Sequence, residues 1–168
     1  MIADDLRAAA KRLLDLCRRH GLHVATAESC TGGLVVAALT EMAGSSDVVE
    51  CGFVTYSNAA KESMLGVPAA TLTRHGDVSA ETAAAMAAGA LTHSQADLAV
   101  AITGIAGPGG SSKQKPVGLV HFAAASRDGR LLARCRRYGR IGRRRIRERS
   151  VAEALELLQT LAAGASRG

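Results

Sequence analysis

Leu6, Ala10, Leu13 and Cys17 recur at helical spacing up to Gly21, with the intervening positions polar, so residues 4 to 20 read as an amphipathic helix ended by a glycine. The apolar run LHVATA (22–27) then gives way to the turn ESCTGG and to the helical pattern LVVAALTEMAG (34–44), predicting strand, tight turn and helix. VVECGFVTY (48–56) repeats the theme, since its β-branched and aromatic residues predict a strand. Ser57 is placed to cap the helix that follows, which carries Lys61.

Further along, SAETAAAMAAGALTH (79–93) is strongly helical and DLAVAIT (97–103) is an apolar strand that breaks into the glycine-rich loop GIAGPGGSSKQKP. VGLVHFAAA and LLARCRRY flank SRDGR, whose Asp128-Gly129 predicts an antiparallel hairpin. The chain closes on a helix from Arg143 to Leu161. Alternation of this kind predicts an α/β fold, a mixed sheet with helices on both faces. No repeat, low-complexity tract or interdomain linker interrupts it, so residues 1–168 read as one domain.

Composition narrows the function. With 168 residues and 48% hydrophobic positions, one domain buries a full core without disulfides. The four cysteines, Cys17, Cys30, Cys51 and Cys135, lack CxxC or zinc-finger spacing and read as free thiols in a reducing compartment. No apolar run reaches membrane-spanning length, and the acidic start MIADDL lacks the pattern of a signal peptide, so a cytoplasmic protein with no membrane partner is expected. Four aromatics (Phe53, Tyr56, Phe122, Tyr138) are too few for base-stacking platforms. The net charge of +6 is local: residues 127–149 hold eleven arginines against Asp128 and Glu148. That stripe suits one anionic ligand or a partner subunit better than a nucleic acid.

Three inferred strands end in small polar residues: Ala27 runs into Glu28-Ser29-Cys30-Thr31-Gly32-Gly33, Val54 into Thr55-Tyr56-Ser57, and Ile102 into Thr103-Gly104. Ligands of open α/β sheets bind beyond the carboxyl ends of strands, so the three endings are expected to share a crevice. Gly32 and Gly33 would let a phosphate approach the N–H groups at the start of the next helix, while Ser29 on the sharp turn is a candidate nucleophile. The alternative is an ordinary capped helix entry. A serine needs a base, and none of the five histidines is suitably placed in the pattern. Lys61, if desolvated, could serve, as in Ser/Lys hydrolases, although a lone helical lysine is more often a solvated charge. Cys30 is a rival nucleophile. Neither GxxxxGK[ST], GxGxxG nor a metal-ligand spacing occurs, so neither a Walker-type ATPase, a dinucleotide site nor metal catalysis is expected.

AESCTGG (27–33), the GSS of Gly44 to Ser46, VTYSN with Lys61, LGV, VS and MA, TGIAGPGG (103–110), KPVG and the RxxIR of Arg143 to Arg147 follow one another over nearly the whole chain. In these the sequence resembles the CinA C-terminal domain family, the nicotinamide-nucleotide amidohydrolases. The resemblance implies a three-layer α/β/α sandwich with a mixed, mostly parallel sheet. It also implies hydrolysis of the carboxamide of nicotinamide mononucleotide to the acid and ammonia without a cofactor. By position it assigns catalysis to Ser29, Lys61, Tyr56 and Thr103. Substrate binding falls to Glu28, Cys30, Thr31, Gly32 and Gly33 of the turn, and to Ser46, Gly104, Gly107 and Arg143. The partners expected are a small pyridine mononucleotide and further copies of the chain, with no nucleic acid. Two departures stand out: Ile141-Gly142 replace the Gly-Asp that often precedes the arginine aligned with Arg143, and Asp77 replaces a small apolar residue. A non-catalytic nucleotide-binding or partner-binding module of the same fold is the alternative.

Overall fold

A computed structural model describes residues 2–165. Five strands form one sheet: β1 (Val24–Glu28), β2 (Val49–Val54), β3 (Leu98–Gly104), β4 (Leu119–Ser126) and β5 (Leu131–Arg137), in the order β2-β1-β3-β4-β5. β1 pairs parallel with β2 and β3, whereas β4 is antiparallel to both β3 and β5. Only β4 therefore runs against the other four, and the mixed, mostly parallel sheet is as expected. Among the described residues six helices cover it: α1 (Asp4–His20), α2 (Leu34–Thr40), α3 (Asn58–Leu65), α4 (Ala69–His75), α5 (Ala80–Thr92) and α6 (Arg143–Ala163).

The two faces of the sheet bury different side chains. Period-two alternation sends Leu98, Val100 and Ile102 of β3, with Val120 and Phe122 of β4, into a core shared with α1, α2 and α6. Ala25, Ala27, Ala99, Ala101, Ala123 and Ala125 face the other way, toward Met86, Ala87 and Ala90 of α5. A wall of methyl groups leaves little thickness between α5 and the sheet. The thinness continues outward, because a Cβ on Gly89 of α5 would lie 2.0 Å from the Leu65 carbonyl oxygen of α3. Only glycine permits that approach.

Local signals explain the helix ends. Gly21 takes the left-handed conformation (φ 64°) that closes α1, and Ser57 and Ser79 accept from the N–H groups of Ala60 and Thr82 to start α3 and α5. α2 stops at Thr40, short of its apolar pattern, and a short 3-10 turn at Ser45–Asp47 leads into β2. α4 was not anticipated: its seven residues follow Pro68, too short a span to show periodicity.

Several side chains of the arginine-rich segment are engaged within the chain. Arg134 and Arg136 of β5 both bind Glu153 of α6, Arg127 binds carbonyls of Leu91, Ser94 and Ala96, and Arg130 binds Asp128 and the Leu161 carbonyl. Much of the positive charge is thus spent on joining the hairpin to its neighbours. No helix of the described residues is long and apolar enough to cross a membrane.

Candidate active site

β1 lies between β2 and β3, and all three end together: Glu28 is opposite Val54 on one side and Ile102 on the other. The Ser29 N–H donates to the Ile102 carbonyl at 3.0 Å, extending the ladder one residue beyond the strand. The Thr55 N–H likewise donates to the Glu28 carbonyl at 2.8 Å. Ser29 is thus held at the rim of the sheet, on a turn tied down from both neighbours. It opens into a cavity of about 280 Å³ whose other walls come from Tyr56, Asp77-Val78, the Gly104–Gly110 loop, Lys115 and Arg143.

Lys61, the candidate base, stands close to the candidate nucleophile. α3 points Lys61 inward, only 1% exposed, with Nζ 3.2 Å from Ser29 Oγ and donating to the Thr55 carbonyl at 3.0 Å. No carboxylate lies within ion-pairing distance of it among the described residues. Burial pulls its pKa below that of an ordinary lysine, and the negative charge of Asp77 opposes the shift only in part. A neutral amine at this distance accepts the proton of the serine hydroxyl; a solvated surface lysine would not. Cys30 is 5% exposed, and burial pushes its thiol up to about 12, so it stays protonated and poorly nucleophilic at neutral pH.

The turn after Ser29 has a different use from the one expected. Glu28 is wholly buried, and its carboxylate accepts from the N–H groups of Gly33 (3.0 Å), Val35 (3.1 Å) and Val36 (2.9 Å), and from Thr26 Oγ1 (3.3 Å). It fills the start of α2 with the protein's own anion. The Gly32 N–H bonds the Ser29 carbonyl and the Leu34 N–H bonds that of Thr31, so the phosphate site expected at Gly32 and Gly33 is closed. Glu28, Thr31, Gly32 and Gly33 shape the turn and do not line the cavity, whereas Cys30 does. The Thr31 carbonyl is held by Arg147 Nη2 at 2.9 Å.

Ser46 lies apart from this cavity. It is exposed on the 3-10 turn that precedes β2, at the amino end of a strand whose carboxyl end forms the site. Six residues of extended chain, about 3.3 Å each, separate the two. Gly104 and Gly107 line the cavity as expected, and Gly107 (φ 74°) leaves Val117 room that a Cβ would take, 2.7 Å from its Cγ1.

Tyr56 is 60% exposed at the mouth, its hydroxyl accepting from Arg143 Nη2 at 2.7 Å while Arg143 Nη1 donates to the Gly107 carbonyl at 2.9 Å. Arg143 therefore clamps the glycine loop against β2. Thr103 is buried, and its hydroxyl donates to the Asp77 carbonyl at 2.5 Å, so it holds the wall that Asp77 forms. Lys115 and Asp77 were not assigned to the site from sequence. Lys115 Nζ donates to the His75 carbonyl at 2.7 Å and belongs to the glycine-rich loop, where periodicity carries no signal. No group of three His, Cys, Asp or Glu side chains suited to a metal ion occurs among the described residues.

The sandwich and its strand-end serine–lysine pair belong to a recognisable family. Residues 6–162 match the CinA C-terminal domain, and the chain belongs to that family. It is 54% identical over 144 residues to a CinA-like protein of Mycolicibacterium vanbaalenii, covering 86% of this chain and 34% of the relative, and 51% identical to one of Synechococcus, covering 94% and 37%. The chain thus spans about a third of the length of these curated relatives. Among solved structures it resembles the competence/damage inducible protein CihA of Agrobacterium tumefaciens with a TM-score of 0.94 and 55% identity, over 96% of this chain and 98% of that one. A CinA superfamily protein of Klebsiella pneumoniae gives 0.90 and 34%, over 95% and 99%.

Proposed function

We propose that the domain is an amidohydrolase that converts nicotinamide mononucleotide to nicotinate mononucleotide and ammonia through Ser29 and Lys61. The observation that carries this reading is the buried Lys61 amine, free of any carboxylate partner among the described residues and 3.2 Å from Ser29 Oγ at the edge of the cavity. Keeping an unpaired ammonium there costs free energy, and the neutral amine that replaces it is the form that takes a proton.

In this mechanism Lys61 removes the Ser29 hydroxyl proton as Oγ bonds to the carboxamide carbon. The tetrahedral adduct collapses when the lysine ammonium returns that proton to the departing nitrogen, which leaves as ammonia. An ester on Ser29 remains. Lys61, neutral again, takes a proton from water as the water oxygen attacks the ester, then returns it to Ser29 Oγ as the C–O bond breaks and the acid leaves. Arg143 and Lys115 supply the positive charge in the cavity for the substrate phosphate, in place of the start of α2, which Glu28 occupies. Tyr56 stands at the mouth, oriented by Arg143.

The test is ammonia release from nicotinamide mononucleotide by the purified protein and by Lys61→Ala. Turnover by the parent and its loss in the variant support the reading. A parent that binds the nucleotide without releasing ammonia overturns it.

A further inference from the structure

Three charged side chains line the cavity: Asp77, Lys115 and Arg143. Both cations have polar partners, Lys115 on the His75 carbonyl and Arg143 on Tyr56 and Gly107. The Asp77 carboxylate receives neither a hydrogen bond nor an ion pair among the described residues. Its backbone is nonetheless fixed, since its carbonyl accepts from Thr103 and the next two residues, Val78 and Ser79, are buried at the start of α5. This is a held carboxylate without a counterion, on the wall of the pocket that Ser29 enters.

Its position is paradoxical for a site that needs a neutral amine. Its negative charge, though beyond ion-pairing distance, favours the Lys61 ammonium and works against the base. A substrate that brings its own positive charge removes the conflict. The nicotinamide ring of the mononucleotide is quaternised at nitrogen, meta to the carboxamide, so a carboxamide at Ser29 places a fixed cation beside the same wall. That cation has no N–H to donate and is recognised by charge alone, which suits a carboxylate that no protein donor holds among the described residues.

We infer that Asp77 reads the charge of the ring and makes the site prefer a cationic pyridinium amide to a neutral aromatic amide of the same shape. The inference rests on the amidase reading above. Because Asp77 is exposed and water screens the pair, the preference it adds is modest, about fivefold in affinity.

Calorimetric titration in a Ser29→Ala background, where nothing is turned over, tests it with two ligands: nicotinamide mononucleotide and the C-nucleotide in which a neutral benzamide ring replaces the pyridinium. The expected result is tighter binding of the cationic ligand, a difference lost in Asp77→Asn and in Asp77→Ala while affinity for the neutral ligand is unchanged. Equal weakening of both ligands, or an undiminished preference in both variants, overturns the inference. The amidase reading is checked separately by ammonia release from the Ser29 parent: no turnover there removes both, whereas turnover with an unaltered preference removes only the role of Asp77.

Discussion

Replacing Glu28 by Gln tests whether a buried carboxylate builds the nucleophile turn. In the parent one oxygen accepts from Gly33 and Val35, the other from Val36 and Thr26 Oγ1. The amide loses least if its NH2 takes the second position, where the Thr26 hydroxyl can accept instead of donate, leaving the Val36 N–H without a partner. One buried N–H left unpaired costs about 1–3 kcal/mol, and two charge-assisted bonds reduced to neutral ones cost about 0.5–1 kcal/mol each, so the variant should lose about 3 kcal/mol. At a urea slope of about 2 kcal/mol/M, the midpoint should fall by about 1.5 M with the slope unchanged. Activity should fall as well, because Ser29 is the next residue and its turn is held by the same bonds. A midpoint within about 0.3 M of the parent would refute the reasoning, since it would mean that the start of α2 does not depend on this charge.

Other outcomes follow from the same geometry. Ser29→Ala should abolish ammonia release while leaving nucleotide affinity largely intact, whereas Cys30→Ala should retain turnover; the reverse pattern by steady-state kinetics would make Cys30 the nucleophile. Because Lys61 acts deprotonated and its pKa is lowered, kcat/KM should rise with pH along a limb centred below the ordinary lysine value, and Lys61→Arg should be as damaging as Lys61→Ala. A pH profile of Lys61→Arg with the same limb and substantial activity would show that the lysine serves only as a charge. Duplex DNA should bind weakly at about 0.15 M salt, since most of the arginines of residues 127–149 are engaged by carboxylates and carbonyls of the chain or line the cavity; nanomolar affinity falling steeply with salt would contradict this.

What the chain revealed in advance was what periodicity and capping encode. Ser57 and Ser79 announced their helices by residue type, and the alternation around Asp128-Gly129 announced the hairpin. Lys61 was readable as a candidate but not as a buried one, because burial depends on how α3 sits on α5, a contact between segments that no local pattern records. The use made of the turn at Gly32 and Gly33 is hidden for a related reason. A glycine-rich turn before a helix looks the same whether its N–H groups await a ligand or a carboxylate supplied by the preceding strand. The position of Ser46 at the amino end of β2 is likewise not given by the motif it belongs to. Lys115 and Asp77 come from a loop and a helix approach, where side chains are positioned by tertiary contacts alone.

The alanine face of the sheet acts as a shim. Its methyl groups set the height at which α5 rides, Gly89 sets how closely α3 rests on α5, and α3 carries the amine. The gap between Lys61 and Ser29 is therefore an accumulated tolerance, the sum of side-chain thicknesses in a stack that contains no reactive atom. Enlarging Ala99 or Ala101 to valine, or Gly89 to alanine, would raise the stack and withdraw the amine from the hydroxyl. A displacement of about 1 Å is enough to cost a reaction about a hundredfold. Catalytic competence in such a site can be lost by thickening its packing, with every reacting group still in place along the chain.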